Sequence, residues 1–200
     1  MNAVIFDLGN VLVHYDPVKT MAAVQALCQI DEADFWKVLR STALEESVGT
    51  GATNGRSLYQ HLQQKVNLTA VYEQFVTAFI SGQQRNEEAI AYAVALQQRP
   101  NVKVGIISNT NEIHADWLHQ HLVELPQFDS VILSNEVGLL KPDAAIYNLS
   151  LSQLNISPNN ALFIDDIAEN ITGANQIGMQ AIHHSSWTST RPAIEKWLKE

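Results

Sequence analysis

The chain has 200 residues, 12 basic and 21 acidic, for a net charge of −9, so it has room for one sizeable core or a core with an insertion. With 46% hydrophobic and 16% charged residues it is neither disordered nor a coiled coil. The acidic balance argues against nucleic acid or an anionic membrane as partner, since both need a basic face; an anionic substrate would need a local positive site made by a cation, a lysine or helix N-termini.

The chain opens with MNAVIFDLGNVLV. AVIF reads as a buried strand, and Asp7 stands where it runs into the turn LGN. An aspartate there is either a turn cap accepting backbone N–H groups or a nucleophile or metal ligand at a sheet edge. Two positions on stands Gly9. The opening segment lacks a basic flank and a long apolar run, and no transmembrane run occurs, so the cytoplasm is the expected location.

Four amphipathic helical stretches follow: VKTMAAVQALCQI, EADFWKVLRSTAL, GRSLYQHLQQKV and AVYEQFVTAFIS. No convincing strand lies among them, which predicts a helical insertion after the first strand. SVGTGATNG, between the second and third stretches, reads as a flexible loop. Cys28 is the one cysteine. It makes no internal disulfide, suits a reducing compartment, and fits helix core better than a nucleophile.

From Asn86 onward, helical patterns alternate with apolar runs: NEEAIAYAVALQQ, KVGIIS, NEIHADWLHQHL, SVILS, DAAIYNLSLSQL, ALFI, ENITGANQIG and QAIHH. The strands are continuously apolar rather than alternating. That predicts an α/β fold, a doubly wound parallel sheet covered by helices on both faces. Ligands of such sheets sit at the carboxyl ends of the strands. Those ends carry Asp7, Ser108 and Asn109, Ser134 and Asn135, and the pair Asp165 and Asp166.

FIDD places two carboxylates side by side after a buried strand. Like charges destabilise each other unless a cation neutralises them, and a hard ion such as Mg²⁺ takes an oxygen cluster of this kind. N-capping by Asp166 of a helix starting near Ala168 accounts for one carboxylate better than for two. In KPD, Pro142 and Asp143 suit a helix start, and Lys141 is either solvated or set to counter a phosphoryl group. ISNTN ends a strand and begins a helix; it is an N-cap or an anion site. His119 and His121 share a helix but not a face, which argues against zinc, and His183 and His184 read as a strand end.

Together FDLGNV, ISNTN, GLLKPDAAIY and LFIDDIAENITGANQIGM resemble the haloacid dehalogenase-like hydrolase superfamily. The first two segments also look like a bacterial subgroup that includes sugar phosphate phosphatases, such as those acting on glucose 1-phosphate. The resemblance implies a Rossmann-like core of residues 1–14 and 86–200 with an inserted helical cap, 15–85. It implies that Asp7 attacks phosphorus and forms an aspartyl phosphate. Asp7 and Asp165 would bind Mg²⁺ through their side chains and Gly9 through its carbonyl, with Asp166 supporting the metal waters. Ser108 and Asn109 would hold phosphoryl oxygens, and Lys141 would neutralise charge near Asp7.

Gly9 departs from the family pattern, which has an aspartate there as general acid and base. The loss is proton transfer, typically worth ~10²- to 10⁴-fold in rate. The expectation is a Mg²⁺-dependent phosphatase for a small phosphorylated metabolite, a sugar phosphate, acting as a monomer or homodimer. His14 and Asp16 are the nearest replacement acids in sequence. A non-catalytic binding or regulatory protein of the same fold is the alternative, favoured by Gly9. A 2-haloacid dehalogenase would need no metal, and the paired aspartates speak against it.

Overall fold

The computed structural model describes residues 1–28, 31, 33–34 and 42–199. Its centre is a five-stranded parallel sheet of β1 (Asn2–Phe6), β4 (Val102–Ser108), β5 (Ser130–Leu133), β6 (Ala161–Asp165) and β7 (Gln180–His183), in the order β5-β4-β1-β6-β7. All five expected strands are present. β1 is central: Val4 pairs with Val104 on one side and with Leu162 on the other.

Burial on both sides follows from the two-residue period of a strand. Val4 and Phe6 face one core, packed with α5 (Glu87–Gln97) and α10 (Trp187–Trp197) through Ile90, Leu96, Ile194 and Trp197. Ala3 and Ile5 face the other, packed with α8 (Ala144–Leu154) and α9 (Ala168–Gln176) through Ile146, Tyr147, Leu151 and Ala174. Each crossover is therefore sealed by apolar side chains, which explains why the strands read as unbroken hydrophobic runs.

Between β1 and α5 the chain departs from the expectation of helices alone. Two three-residue strands, β2 (Val13–Tyr15) and β3 (Gln83–Arg85), pair antiparallel at the expected core boundaries, β2 across the first and β3 ending just before the second. The turn that feeds β2 is tight, with the Leu8 carbonyl accepting from the amides of Val11, Leu12 and Val13. Beyond this ribbon lie α1 (Pro17–Gln25), α2 (Thr42–Gly49), α3 (Gly55–Val66) and α4 (Tyr72–Phe79). They share an apolar cluster that includes Met21, Val24, Leu58, Leu62, Phe75 and Phe79.

α3 shows how local sequence sets these helices. Asn54 caps its first turn by accepting from the Ser57 amide at 2.8 Å, Leu58, Leu62 and Val66 form one buried stripe, and Asn67 closes it in a left-handed conformation. The expected helix EADFWKVLRSTAL lies mostly outside the described residues; its last three residues open α2. Cys28 follows α1 rather than lying in it, half-buried against the same cluster.

SVGTGATNG is not a free loop. Ser47, Val48 and Gly49 end α2, and the Gly49 carbonyl accepts from Ser134 Oγ at 2.6 Å. A Cβ on Gly51 would lie 2.1 Å from the Asn135 carbonyl oxygen, and one on Gly55 would lie 2.6 Å from Ile113. These glycines let the helical layer approach the sheet-bearing part at backbone distance. The Gly55 amide also donates to Glu112 on α6 (Glu112–His121) at 2.5 Å. Among the described residues no helix is long and apolar enough to cross a membrane.

Candidate active site

Chain connections reverse direction about β1: β4 and β5 lie on one side, β6 and β7 on the other. The crevice at this switch point, beyond the carboxyl ends of β1 and β6, is where such sheets place ligands. Asp7 follows β1 directly, and its amide donates to the Ile164 carbonyl at 2.8 Å, extending the pairing with β6 by one residue. Asp165 ends β6 and is fully buried. The sheet thus brings together two carboxylates that are far apart in the chain.

Lys141 joins them. It arrives from the loop between α7 (Ser134–Val137) and α8, with its side chain 2% exposed. Its ammonium donates to Asp7 Oδ1 and Asp165 Oδ2, both at 2.6 Å, and to the Ile107 carbonyl at 3.1 Å. Burial alone would lower the lysine pKa, but the two carboxylates outweigh it and hold Lys141 above the ordinary lysine range. The imbalance of two anions and one cation falls on Asp7. Burial pushes it up to about 6, the neighbouring Asp165 adds to the rise, and Lys141 offsets only part of it.

One carboxylate oxygen each of Asp7, Asp165 and Asp166 lie within 4.8 Å of one another. The group is short of positive charge and consists of hard oxygen donors, so its chemistry fits a divalent ion of the Mg²⁺ type. Asp166 does not cap the following helix. Its Oδ2 accepts from Asn10 Nδ2 at 3.0 Å, while the N-cap residue of α9 is Ile167. Asp165 is fixed by the Ile167 amide at 2.8 Å and by Asn170 Nδ2, 3.0 Å from each carboxylate oxygen.

A recess of about 250 Å³ over Asp7 is lined by Gly9, Asn10, Ser108, Asn109, Lys141 and Asp166, among others. Six of the seven expected site residues line it, and the seventh, Asp165, lies fully buried beside it, bonded to Lys141. The Asn109 side chain is already engaged: Oδ1 accepts from the Lys141 amide at 2.8 Å and Nδ2 donates to the Lys141 carbonyl at 2.9 Å. It positions the lysine, and only its second amide hydrogen remains for an anion. Asp143 is the N-cap of α8, accepting from the Ala145 amide at 2.8 Å.

The expected replacement acids do not line this recess. His14 is exposed on β2, and Asp16 caps α1 by accepting from the Lys19 amide at 2.9 Å. His114, on α6, lines it instead, together with Tyr15. The imidazole stacks on Phe79 with ring centres 4.9 Å apart and meets Tyr15 edge-on at 5.7 Å. Its two nitrogens lie 3.4 Å from the Phe79 carbonyl oxygen and from Asn111 Nδ2. Burial lowers its pKa to about 4, against a smaller upward pull from the Phe79 carbonyl, so the ring is neutral near pH 7.

A depressed histidine binds fewer protons folded than unfolded. Its contribution to stability is complete above the ordinary value of ~6.5 and is lost as pH falls toward about 4. Between pH 8 and pH 5 that loss is ~2 kcal/mol. His114→Phe keeps the ring but removes the titration. The melting temperature of this variant is expected to fall less than that of the wild type over the same range; parallel curves would show that His114 does not cause the acid slope.

Asn10 and Asn170 stand inside the segments FDLGNV and LFIDDIAENITGANQIGM without a role read for them there, and His114 stands in none of the four segments. The nearest clue is the position of Asn170 in the first turn of the helix after FIDD, facing back toward the strand end.

A second cavity of about 940 Å³ adjoins the recess and shares Tyr15, Asn109, Thr110, His114, Lys141 and Ile167 with it. It opens toward the helical layer and is bounded by residues of α1, α2, α3 and α4.

The chain is 25% identical over 191 residues to a sesquiterpene phosphatase of Aspergillus oryzae, covering 90% of this chain and 88% of that one. Bifunctional epoxide hydrolase 2 of the mouse is 29% identical over 139 residues, 68% of this chain and only 24% of that much longer protein. A HAD family enzyme from Bacteroides thetaiotaomicron, solved in complex with magnesium and inorganic phosphate, superposes with a TM-score of 0.80 at 20% identity, covering 95% of this chain and 98% of the other. That likeness establishes the shared fold. Residues 1–178, which hold four of the five strands of the sheet and the helical layer, match the haloacid dehalogenase-like hydrolase family, and the chain belongs to that family.

Proposed function

We propose that the protein is a Mg²⁺-dependent phosphatase that hydrolyses a small phosphate monoester through an aspartyl phosphate on Asp7. The observation that carries this reading is the buried Asp7–Lys141–Asp165 arrangement at the switch point, with Asp166 beside it. Asp7 Oδ1 is bound to Lys141, and Oδ2 is the oxygen nearest the space beside Gly9. In the first step an Asp7 oxygen forms a bond to phosphorus as the bond from phosphorus to the leaving oxygen breaks. Water then attacks the phosphorus, releases inorganic phosphate and restores the carboxylate. Lys141 holds the carboxylate in place and offsets charge during both steps.

Asp7, Asp165, Asp166 and the Gly9 carbonyl would hold Mg²⁺, which when bound supplies charge neutralisation for the phosphoryl oxygens. Ser108 and the free Asn109 hydrogen would meet those oxygens from the β4 side. Residues 15–85 would act as a cap that selects the leaving group. Phosphate release from a panel of monoesters is expected with Mg²⁺ and not with EDTA. Halide release from haloacids under chelation would overturn the reading in favour of a dehalogenase. A non-catalytic phosphate-binding role has one observation in its favour, Gly9; phosphate binding without any release would establish it.

Gly9 also bears on the expected sugar phosphate. Without an acid there the leaving oxygen departs poorly protonated, and an anomeric oxygen does so more easily than a primary alkoxide. A hexose 1-phosphate is therefore expected to outperform the 6-phosphate. A Cβ added at Gly9 meets only Asp7 Oδ2, at 3.7 Å, an ordinary contact. Gly9→Asp is expected to narrow the gap by speeding the poorer leaving group, by at most the ~10²- to 10⁴-fold typical of general acid catalysis. Ratios of kcat/KM for both esters in both proteins measure it, and an unchanged ratio with normal Mg²⁺ binding would show that the missing acid does not set the preference.

A further inference from the structure

We infer that the substrate is an aryl monophosphate, the ester of a phenol-type hydroxyl whose apolar ring system occupies the larger cavity. The inference rests on the phosphatase reading and narrows its leaving group. Three separate observations converge on it.

The first is the cavity wall. Tyr15, Met21, Leu44, Leu58, Phe79 and Leu140 line the 940 Å³ space that continues from the recess over Asp7. A sugar presents hydroxyls in every direction; Thr20, Asn111 and the glutamates of the same cavity offer partners to some of them, but those turned to Met21, Leu44, Leu58, Phe79 and Leu140 would lose water partners without replacement. The stacked pair of Phe79 and His114, with Tyr15 edge-on to the imidazole, stands where the two spaces join. Flat aromatic groups pack well against such rings.

The second is charge. Among the described residues lining either space, Lys141 is the one lysine or arginine, and its ammonium already faces Asp7 and Asp165. Glu45, Glu46 and Glu169 line the larger cavity. A second phosphate or a carboxylate on the leaving group would meet Glu45, Glu46 and Glu169 there, which favours a single phosphate on an uncharged body.

The third is the missing acid. Gly9 has no side chain, Asp166 accepts from Asn10, Asp16 caps α1, and both His114 nitrogens face protein partners. Among the described residues lining the recess the carboxyls are Asp7 and Asp166, both already bonded to protein, so the leaving oxygen carries the electron pair of the broken bond away and takes its proton from water. A phenolic oxygen, with a pKa of ~10, does so far more readily than an alkoxide. An alkyl phosphate of equal bulk satisfies the first two observations and fails the third. An anomeric sugar phosphate satisfies the last two and leaves the apolar part of the wall without a matching surface.

The test compares kcat/KM of the Mg²⁺-loaded protein for 1-naphthyl phosphate, phenyl phosphate, octyl phosphate and glucose 1-phosphate. Naphthyl is expected to exceed phenyl by about tenfold, mainly in KM, because the leaving groups are alike and only the buried area differs. It is expected to exceed octyl mainly in kcat. Leu44→Gln, at a half-buried wall position, is expected to shrink the naphthyl-to-phenyl ratio at least about threefold. Independently of turnover, 1-naphthylmethylphosphonate should bind more tightly than methylphosphonate by calorimetry. Glucose 1-phosphate or octyl phosphate ahead of naphthyl, naphthyl no better than phenyl, or equal binding of the two phosphonates overturns this inference and leaves the phosphatase reading standing. No phosphate release from any of the four esters overturns both.

Discussion

Asp7→Asn is expected to lower phosphate release by ~10⁴-fold or more, with the fold intact. The substitution is nearly isosteric and keeps an oxygen for Lys141, which lies 2.6 Å from Asp7 Oδ1. What disappears is the anionic oxygen that attacks phosphorus. Stability separates this chemical effect from damage to the site. In the metal-free protein the second buried carboxylate is a burden, since burial and Asp165 push Asp7 up to about 6. Removing its charge leaves Lys141 and Asp165 as a balanced pair. The metal-free variant is therefore expected to melt no lower than the metal-free wild type at pH 8. Added Mg²⁺ should raise the melting temperature of the wild type more than that of the variant, because one anionic ligand is gone. Wild-type turnover in Asp7→Asn would end the covalent mechanism, and a large drop in melting temperature without metal would show that Asp7 is needed for the fold.

The parts of this site that were legible in the sequence are those whose position is local. Asp7 and Asp165 each end an apolar run, and a strand-end carboxylate is visible without any tertiary information. That both face one crevice follows from the parallel, doubly wound order of the strands. Lys141 is different. A lysine before a proline in a loop carries little meaning alone, and its weight comes from the resemblance; the structure adds that an Asn109 clasp on its backbone holds the buried lysine with its ammonium between two carboxylates. Asn10 and His114 are illegible because each gains its role from a contact across the fold, to Asp166 and to Phe79, whereas Asn170 reaches Asp165 from only five residues on, a spacing that gains meaning once the strand end and helix start are fixed. The β2–β3 ribbon is invisible in the sequence because three-residue strands are too short to show a period. SVGTGATNG reads as a loop for a related reason. Glycines read as freedom in a sequence, whereas at Gly51 and Gly55 they mark backbone held against a neighbour.

Replacing Lys141 by methionine is expected to have the largest effect on stability and a turnover effect that rivals the loss of the nucleophile. The ammonium is 2% exposed and is the cation between Asp7 and Asp165. Methionine fills similar space but leaves two buried carboxylates facing each other, and breaking a buried ion pair from one side typically costs ~3–5 kcal/mol. The carboxylates have one escape, which is to take up a proton. Lys141 now lowers the Asp7 pKa, so its loss moves Asp7 above its present value of about 6. A carboxylate whose folded pKa is raised binds more protons folded than unfolded. The stability it contributes is present at low pH and is lost as pH rises through the folded value. The metal-free variant should therefore melt progressively lower from pH 5 to pH 8, a slope steeper than that of the wild type. Mg²⁺ should restore more of its melting temperature than it adds to the wild type, because the ion then supplies the only positive charge in the group. Turnover should stay low even with Mg²⁺ bound, since the metal cannot also take over the hydrogen bonds that fix Asp7 Oδ1 and Asp165 Oδ2. Melting curves at several pH values, with Mg²⁺ and with EDTA, read the first two effects, and phosphate release reads the third. A metal-free variant as stable as the wild type at pH 8 would mean that the two carboxylates do not depend on Lys141 for their charge balance.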